Sequence, residues 1–271
     1  MSRMRLRSIA AETLAILDAG RYAAADGTLV DLTADVARSV SATQDITSLP
    51  AGDPAGGTPH ISVADGTTLD GITNVLEGTN GVPAVLNFAS ARNPGGGFER
   101  GADAQEEALC RDTTLFAALR TQPFFYARNK ACPDAIYSDS LLYSPAVRVI
   151  RDAYGILVAS PPEIAVLTAP APNLRALSEQ GHWPARRAAL LAALDRRIDL
   201  ILRTARANGH RSLVLGAWGC GVFGNDPFEI AGRFATALNA IGGDFDHVHF
   251  AIPAGGSDNN LDAFKSVFGV S

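Results

Sequence analysis

Residues 83–97 read Pro-Ala-Val-Leu-Asn-Phe-Ala-Ser-Ala-Arg-Asn-Pro-Gly-Gly-Gly. An apolar run of strand length, 83–90, feeds a glycine-rich turn, and a helix is predicted over 104–120. The order recurs downstream: strand 163–169 (EIAVLTA), helix 184–207, strand 212–218 (SLVLGAW), helix 227–240, strand 247–252 (HVHFAI) and helix 260–268. Continuous apolar runs mark strands covered on both faces. Their alternation with helices marks a mostly parallel sheet in a layered α/β fold. Residues 136–152 read as a further strand or extended segment at a sheet edge.

Upstream, Leu6, Ile9, Ala10, Leu14 and Leu17 share one face of a helix over 4–19 that ends at Gly20, and a second helix is predicted over 33–40. The turn formers of 48–57 place a boundary near residue 55. It separates an N-terminal helical extension, 1–55, from the main body, 56–271.

A chain of 271 residues that is 47% hydrophobic has a substantial core and is not disordered. Its 23 Lys+Arg against 28 Asp+Glu leave a net charge of −5, with no basic run, which excludes broad electrostatic binding to DNA or RNA. Lys130 and Lys265 are the only lysines. Cys110, Cys132 and Cys220 fit neither a disulfide framework nor a zinc knuckle, so a reducing compartment is expected. The N-terminus lacks the uninterrupted apolar core of a signal peptide, and no stretch has the length of a membrane span. A cytoplasmic chain without membrane contact is expected. The six arginines of 184–207 (Arg186, Arg187, Arg196, Arg197, Arg203, Arg206) oppose Leu190, Leu194, Ile198 and Ile201, which predicts a solvated outer face.

Ligands of open α/β sheets sit beyond the carboxyl ends of strands, so the turn at Gly95-Gly96-Gly97 is a candidate site. Successive glycines let consecutive N–H groups converge on a phosphate, although glycine clusters also mark ordinary turns. A second turn, Gly219-Cys-Gly-Val-Phe-Gly-Asn-Asp-Pro227, follows strand 212–218, with Asp226 as cap and Pro227 at N1 of the next helix. It contains the dinucleotide fingerprint Gly-x-Gly-x-x-Gly, but late in the chain and without the acidic residue at the end of the following strand. A nicotinamide enzyme is therefore disfavoured, and two phosphate-binding turns on neighbouring strands suit a diphosphate.

Seven residues beyond the glycine triplet stand Gln105-Glu106-Glu107. Asp103 and Glu106 have capping-box spacing, which accounts for Glu106 but leaves Glu107 unexplained. Paired carboxyls suit general acid–base work on a glycosidic bond. Adjacent helical residues diverge by about 100°, so these two cannot flank a sugar as a usual glycosidase pair does. One is expected to move the proton while the other positions the sugar. Burial and the like-charged neighbour are expected to raise the pKa of the acid.

This combination resembles the signature of the poly(ADP-ribose) glycohydrolases: three glycines, a short spacer, then Gln-Glu-Glu. LNFASARNPGGGFERGADAQEEALCR, YSDSLLYSPAVRVIRD, LTAPAPN and LGAWGCGVFGNDP resemble the bacterial-type branch, as does Glu12-Thr13 on the first helix. The resemblance implies a macrodomain-like core with a mixed, mostly parallel sheet between helices and an N-terminal helical extension. It implies hydrolysis of the ribose–ribose O-glycosidic bonds of poly(ADP-ribose) to ADP-ribose, mainly from chain ends, with neither cofactor nor metal. Glu107 matches the glutamate that protonates the leaving ribose oxygen and then activates water; Glu106 matches the partner holding the distal ribose, and Gln105 orients the pair. Asn93, Gly95, Gly96 and Gly97 match the loop around the distal ribose and diphosphate. Gly219, Gly221, Val222, Phe223 and Gly224 match the second diphosphate loop, whose aromatic residue packs on the ribose. Larger relatives carry Asp and Asn where this chain has Asn87 and Ser90. Poly(ADP-ribose), ADP-ribose and ADP-ribosylated proteins are the implied partners of a monomer.

The competing reading is a macrodomain-type module that binds ADP-ribose without hydrolysing it; Glu106 and Glu107 favour the enzyme. His247 and His249 alternate on one strand but lack a third ligand for a metal. Cys110 and Cys220 read as packing residues, and Trp183 and Trp218 as core. Asp65, Phe250 and the 251–256 turn are candidate neighbours of the adenine. Since −5 excludes recognition by a basic surface, the diphosphate is expected on uncharged backbone N–H groups, with weak salt dependence.

Overall fold

The computed structural model describes residues 1–52, 55–79, 81–255 and 259–270. Helix α1 (Arg3–Ala19) is capped by Ser2, whose Oγ accepts the Arg5 N–H at 3.3 Å, and closes on Gly20 at φ +67°. A hairpin of β1 (Arg21–Ala23) and β2 (Leu29–Asp31) follows, then α2 (Thr33–Ala42) and β3 (Gln44–Ile46). The body runs β4 (His60–Ala64), α3 (Thr68–Gly78), β5 (Ala84–Phe88), α4 (Gln105–Asp112), α5 (Leu115–Leu119), α6 (Pro123–Lys130), β6 (Leu141–Arg148) and β7 (Glu163–Ala169). It continues through α7 (Leu174–Glu179), α8 (Arg187–Ala207), β8 (Ser212–Leu215), α9 (Pro227–Ile241), β9 (His247–Ala251) and α10 (Asn260–Phe268).

Seven strands form one sheet in the order β3-β6-β7-β5-β8-β9-β4, parallel from β7 to β4 and antiparallel where β6 meets β7 and β3. Alternate side chains serve the two faces. Leu86, Leu167, Leu213 and Phe250 pack with α8, α9 and α10, while Val85, Val166 and Val214 pack with α1 and α3–α6. The result is a layered α/β body with helices on both faces, as the alternating pattern predicts.

Four details depart from the sequence reading. Strand β6 is internal, because β3 pairs outside it. The expected division near residue 55 therefore falls after a strand that residues 44–46 lend to the main sheet. The helix expected over 104–120 breaks at Thr113, which bridges to Val149; its Oγ1 donates to Leu109 O at 2.7 Å and accepts the Leu115 N–H at 3.1 Å. Pro184 precedes α8 rather than standing at N1.

The fourth concerns Arg197, which does not share the solvated face of α8 but is 1% exposed. It donates to Pro170 O at 2.7 Å, Tyr137 O at 3.0 Å, Ile136 O and Asp139. Burial lowers its pKa to about 10, against the Asp139 charge. The other five arginines of that stretch each pair with a carboxylate: Asp134, Glu229, Asp139, Asp199 and Asp244 in turn.

His247 Nε2 and His249 Nδ1 each lie 2.7 Å from Ser62 Oγ, a polar cluster beneath α3. Among the described residues no helix is long and apolar enough to cross a membrane.

Candidate active site

The first glycine turn is built around α4. Gln105 Oε1 accepts the Phe88 N–H at 2.8 Å, and its Nε2 donates to Leu86 O at 2.8 Å and Thr68 Oγ1 at 3.0 Å. This side chain fastens the start of α4 to β5 and α3.

Glu106 is 3% exposed; its Oε2 accepts the Ser90 N–H at 2.7 Å and its Oε1 the Asn87 amide at 3.3 Å. Burial pushes its pKa up to about 8, with the charge of Glu107 adding and the Ser90, Asn87 and Gly95 bonds opposing. The burial-driven rise expected within the pair thus falls on Glu106. Asn87 is fully buried, reaches Thr168 Oγ1 at 3.2 Å, and leaves its own Oδ1 without a partner.

Glu107 is partly exposed. Its Oε1 accepts the Gly97 N–H at 2.8 Å and its Oε2 the Ala104 N–H at 3.2 Å. Glu107, not Glu106, therefore caps α4 from N3, while Asp103 pairs with buried Arg111. Gly95 and Gly96 stand at φ +64° and +58°, and a Cβ on Gly96 would press on Glu107 Oε1 and lie 3.1 Å from Glu106 Oε2. Only glycine gives the turn this approach to both carboxyls.

The N–H groups of this turn are engaged by the protein itself. Gly95 faces Glu106, Gly96 donates to Asn93 O at 3.1 Å, and Gly97 holds Glu107. Asn93 is exposed, and its backbone N–H donates to Ser90 Oγ at 3.2 Å.

The second turn differs. The N–H groups of Gly219, Gly221, Val222 and Phe223 donate to no acceptor among the described residues. Gly219, at φ +78°, lies against Ala171 and Asn225, whose Nδ2 donates to Gly219 O at 2.9 Å and Pro172 O at 2.8 Å. Gly224 stands at φ +72°, and Asp226 caps α9 by accepting the Phe228 N–H at 2.8 Å and the Glu229 N–H at 3.2 Å. Free donors on a preset loop ahead of a helix N-terminus form an anion-binding surface.

A cleft of about 780 Å³ opens between the strand ends. Of the expected residues, Gln105, Gly219, Gly221, Val222 and Phe223 line it. Asn93, Gly95, Gly96, Gly97, Glu106, Glu107 and Gly224 lie outside the lining, the two glutamates directly following Ala104 and Gln105, which line it. Ile252, Pro253 and Gly255 line the cleft, and Asp65 Oδ1 accepts the Ala254 N–H at 2.6 Å. Phe250 is turned into the core, and Gly256 lies outside the described residues.

Sequence reasoning missed Thr67, Thr68 and Phe88, which also line the cleft. The signal for the first two was legible: Thr67-Thr-Leu-Asp70 is a capping box, formed here by the Thr67 N–H on Asp70 Oδ2 at 2.8 Å and the Asp70 N–H on Thr67 Oγ1 at 3.3 Å. Cys110 and Cys220 are buried in the two cores, as is Trp218, whose Nε1 donates to Ala169 O at 2.8 Å; Trp183 is partly buried. Among the described residues no three His, Cys, Asp or Glu side chains are grouped to hold a metal.

Residues 10–152 match the family described as "Microbial-type PARG, catalytic domain". The chain is 41% identical to the poly(ADP-ribose) glycohydrolase of Thermomonospora curvata, covering 98% of this chain and 100% of that one with a TM-score of 0.90. Against the same enzyme bound to the inhibitor ADP-HPD it is 40% identical over 97% and 99% of the two chains, with a TM-score of 0.87. The enzyme of Deinococcus radiodurans in complex with ADP-ribose is 34% identical, covering 86% of this chain and 97% of that one with a TM-score of 0.77. Comparison with curated proteins gave no match.

Proposed function

The chain belongs to the microbial-type poly(ADP-ribose) glycohydrolases, and on that premise we propose how its own residues perform the reaction. It is a glycoside hydrolase that releases ADP-ribose from poly(ADP-ribose). ADP-ribose occupies the cleft, as the ligand-bound relatives suggest, with its diphosphate on the free N–H groups of Gly219, Gly221, Val222 and Phe223. The Phe223 ring packs on the ribose, and the first turn, Asn93 with Gly95–Gly97, curves around the distal ribose.

Glu107 gives its proton to the leaving ribose oxygen as the C1″–O bond breaks, and the oxocarbenium-like centre then takes up water. The water's proton returns to Glu107, which restores the acid and balances the hydrolysis. Glu106 holds the distal ribose hydroxyls, and Gln105 keeps both carboxyls at the head of α4. Burial keeps Glu106 protonated at neutral pH, so its carboxyl offers the sugar hydroxyls a donor as well as an acceptor. Cleavage mainly at chain ends, action as a monomer on ADP-ribosylated proteins, and residence in the cytoplasm complete the proposal.

The observation that carries it is the bond from the Gly97 N–H to Glu107 Oε1 with buried Glu106 alongside. Glu107→Gln is expected to abolish release of ADP-ribose from polymer while ADP-ribose affinity, read by calorimetry, stays near wild type. Undiminished turnover would sink the assignment.

A further inference from the structure

The net charge of −5 conceals an uneven distribution of cations. Fourteen arginines form ion pairs with carboxylates, from Arg38 with Asp35 and Glu163 to Arg233 with Asp195 and Glu229. Of the arginines outside such pairs among the described residues, Arg3, Arg7, Arg92 and Arg100 belong to the first glycine turn and to the end of α1 packed on it.

Arg3, Met4, Arg7 and Arg100 line a hollow of about 500 Å³ distinct from the cleft. Gly101, at φ +76°, makes it possible: a Cβ there would collide with Arg3 O and with the Arg3 and Arg7 side chains. Arg3 Nε donates to Arg100 O at 3.1 Å, fixing the helix end to the turn. Glu99, the carboxylate beside Arg100, pairs with none of these arginines.

The placement is costly on local grounds. Cations belong at the carboxyl end of a helix, yet the first turns of α1 carry Arg3, Arg5 and Arg7 and no acid. The Arg3 bond to Arg100 O offsets this for one of the three, and Arg7 has no carboxylate partner among the described residues. Arg100, which lines the hollow, and the reacting carboxyl flank the same residue: a Cβ on Gly97 would lie 3.5 Å from Arg100 Nη2 and 3.7 Å from Glu107 Oε1. The cleft itself contains one arginine, Arg111, and that is paired with Asp103.

Resting on the assignment of Glu107 to the scissile bond, we propose that Arg3, Arg7 and Arg100 form a docking surface for the leaving polymer strand, binding the diphosphate of the ADP-ribose unit on the far side of that bond. The terminal unit is then held by uncharged amides and the departing strand by guanidinium groups. Arginine suits the second task, because its planar fork binds phosphate oxygens in pairs.

The test compares wild type with Arg3→Gln/Arg7→Gln, and with Arg211→Gln as a charge control at the opposite end of the sheet, where Arg211 pairs with Asp246. Two readings are taken: kcat/KM on poly(ADP-ribose) across a salt series, and calorimetric affinity for free ADP-ribose. The double variant is expected to lose about tenfold in kcat/KM at low salt, through KM, and to show a salt slope shallower by about one. Its ADP-ribose affinity and the polymer kinetics of the control should stay at wild type. An unchanged slope and KM would overturn the proposal, and so would an equal loss of ADP-ribose affinity. Single-stranded DNA inhibiting wild type but not the double variant as strongly as polymer does would overturn it too, as a generic polyanion patch. Should Glu107→Gln remain active instead, the assignment of the acid fails, and polymer binding by the arginine variants is still read separately.

Discussion

Gln105 stands to Phe88 as a strand residue stands to its neighbour. It accepts the Phe88 N–H at 2.8 Å and returns a donor to Leu86 O at 2.8 Å, where β8, paired with β5 only at Ala84 and Val85, has diverged. One side chain thus completes the sheet and sets the start of α4, which presents both carboxyls.

Gln105→Leu should strip two buried backbone groups of their partners and cost about 1–3 kcal/mol of stability. Because α4 is then free to shift, kcat should fall further than the loss of stability explains. Urea midpoints and polymer turnover at a temperature where the variant is folded check both; full activity would show that Gln105 does not position the pair.

Glu106→Gln separates stability from catalysis. The folded-state pKa is raised to about 8 from 4.5, so stability is full below about 4.5 and is lost as pH rises toward 8. The amide removes that loss, so the variant should melt several degrees higher than wild type at pH 8 and equally at pH 4.5, while polymer hydrolysis collapses. Equal melting temperatures at pH 8 would show that Glu106 carries no such penalty. For wild type, kcat/KM should decline as pH rises through about 8, because Glu106 then loses its proton and places a second charge beside the reacting ribose.

Gly96→Ala should fold, at a cost of about 1–2 kcal/mol for a left-handed residue at φ +58°. The new methyl presses on Glu107 Oε1, and a displaced acid should lower kcat by about a hundredfold. Kinetics on polymer beside thermal melts distinguish the two effects.

The histidines act at lower pH. Burial lowers the pKa of His247, with His60 and His249 adding, and burial lowers that of His249. Both take up a proton less readily in the folded chain than in the unfolded one, which is protonated below about 6.5, so stability falls as pH drops through that value toward the folded pKa. The difference in melting temperature between pH 7.5 and 5.5 should shrink in His247→Asn/His249→Asn. An unchanged difference would assign the acid sensitivity elsewhere.

Much of this was legible in the residues. Strands β5, β7 and β8 are largely apolar runs, β9 is one interrupted by His247 and His249, and the Asp226-Pro227 cap and both glycine turns carry their conformations in their composition. The short strands were not legible: β1 and β2 are three residues each in a local hairpin, too short for a periodic signal, and β3 gains its order from partners far along the chain, as Ile46 does from Leu141. Thr113 looks like a helix residue until Val149 bridges to it. Arg197 has the spacing of an outer-face arginine, and only the carbonyls of Ile136, Tyr137 and Pro170 draw it inward. Likewise a summed charge of −5 gives no view of which arginines find carboxylates.

The strand order has a consequence for synthesis. Strands β3 and β4 are made first, yet they end at opposite edges of the sheet, about 29 Å apart at the usual strand spacing. Five strands made later must come between them, and β4 pairs only with β9, the last of all. The emerging chain therefore keeps β3 unpaired until β6 is made near mid-chain, and β4 unpaired until β9. Completion of the sheet thus waits for long-range pairing, the kind of contact whose loop-closure cost slows folding.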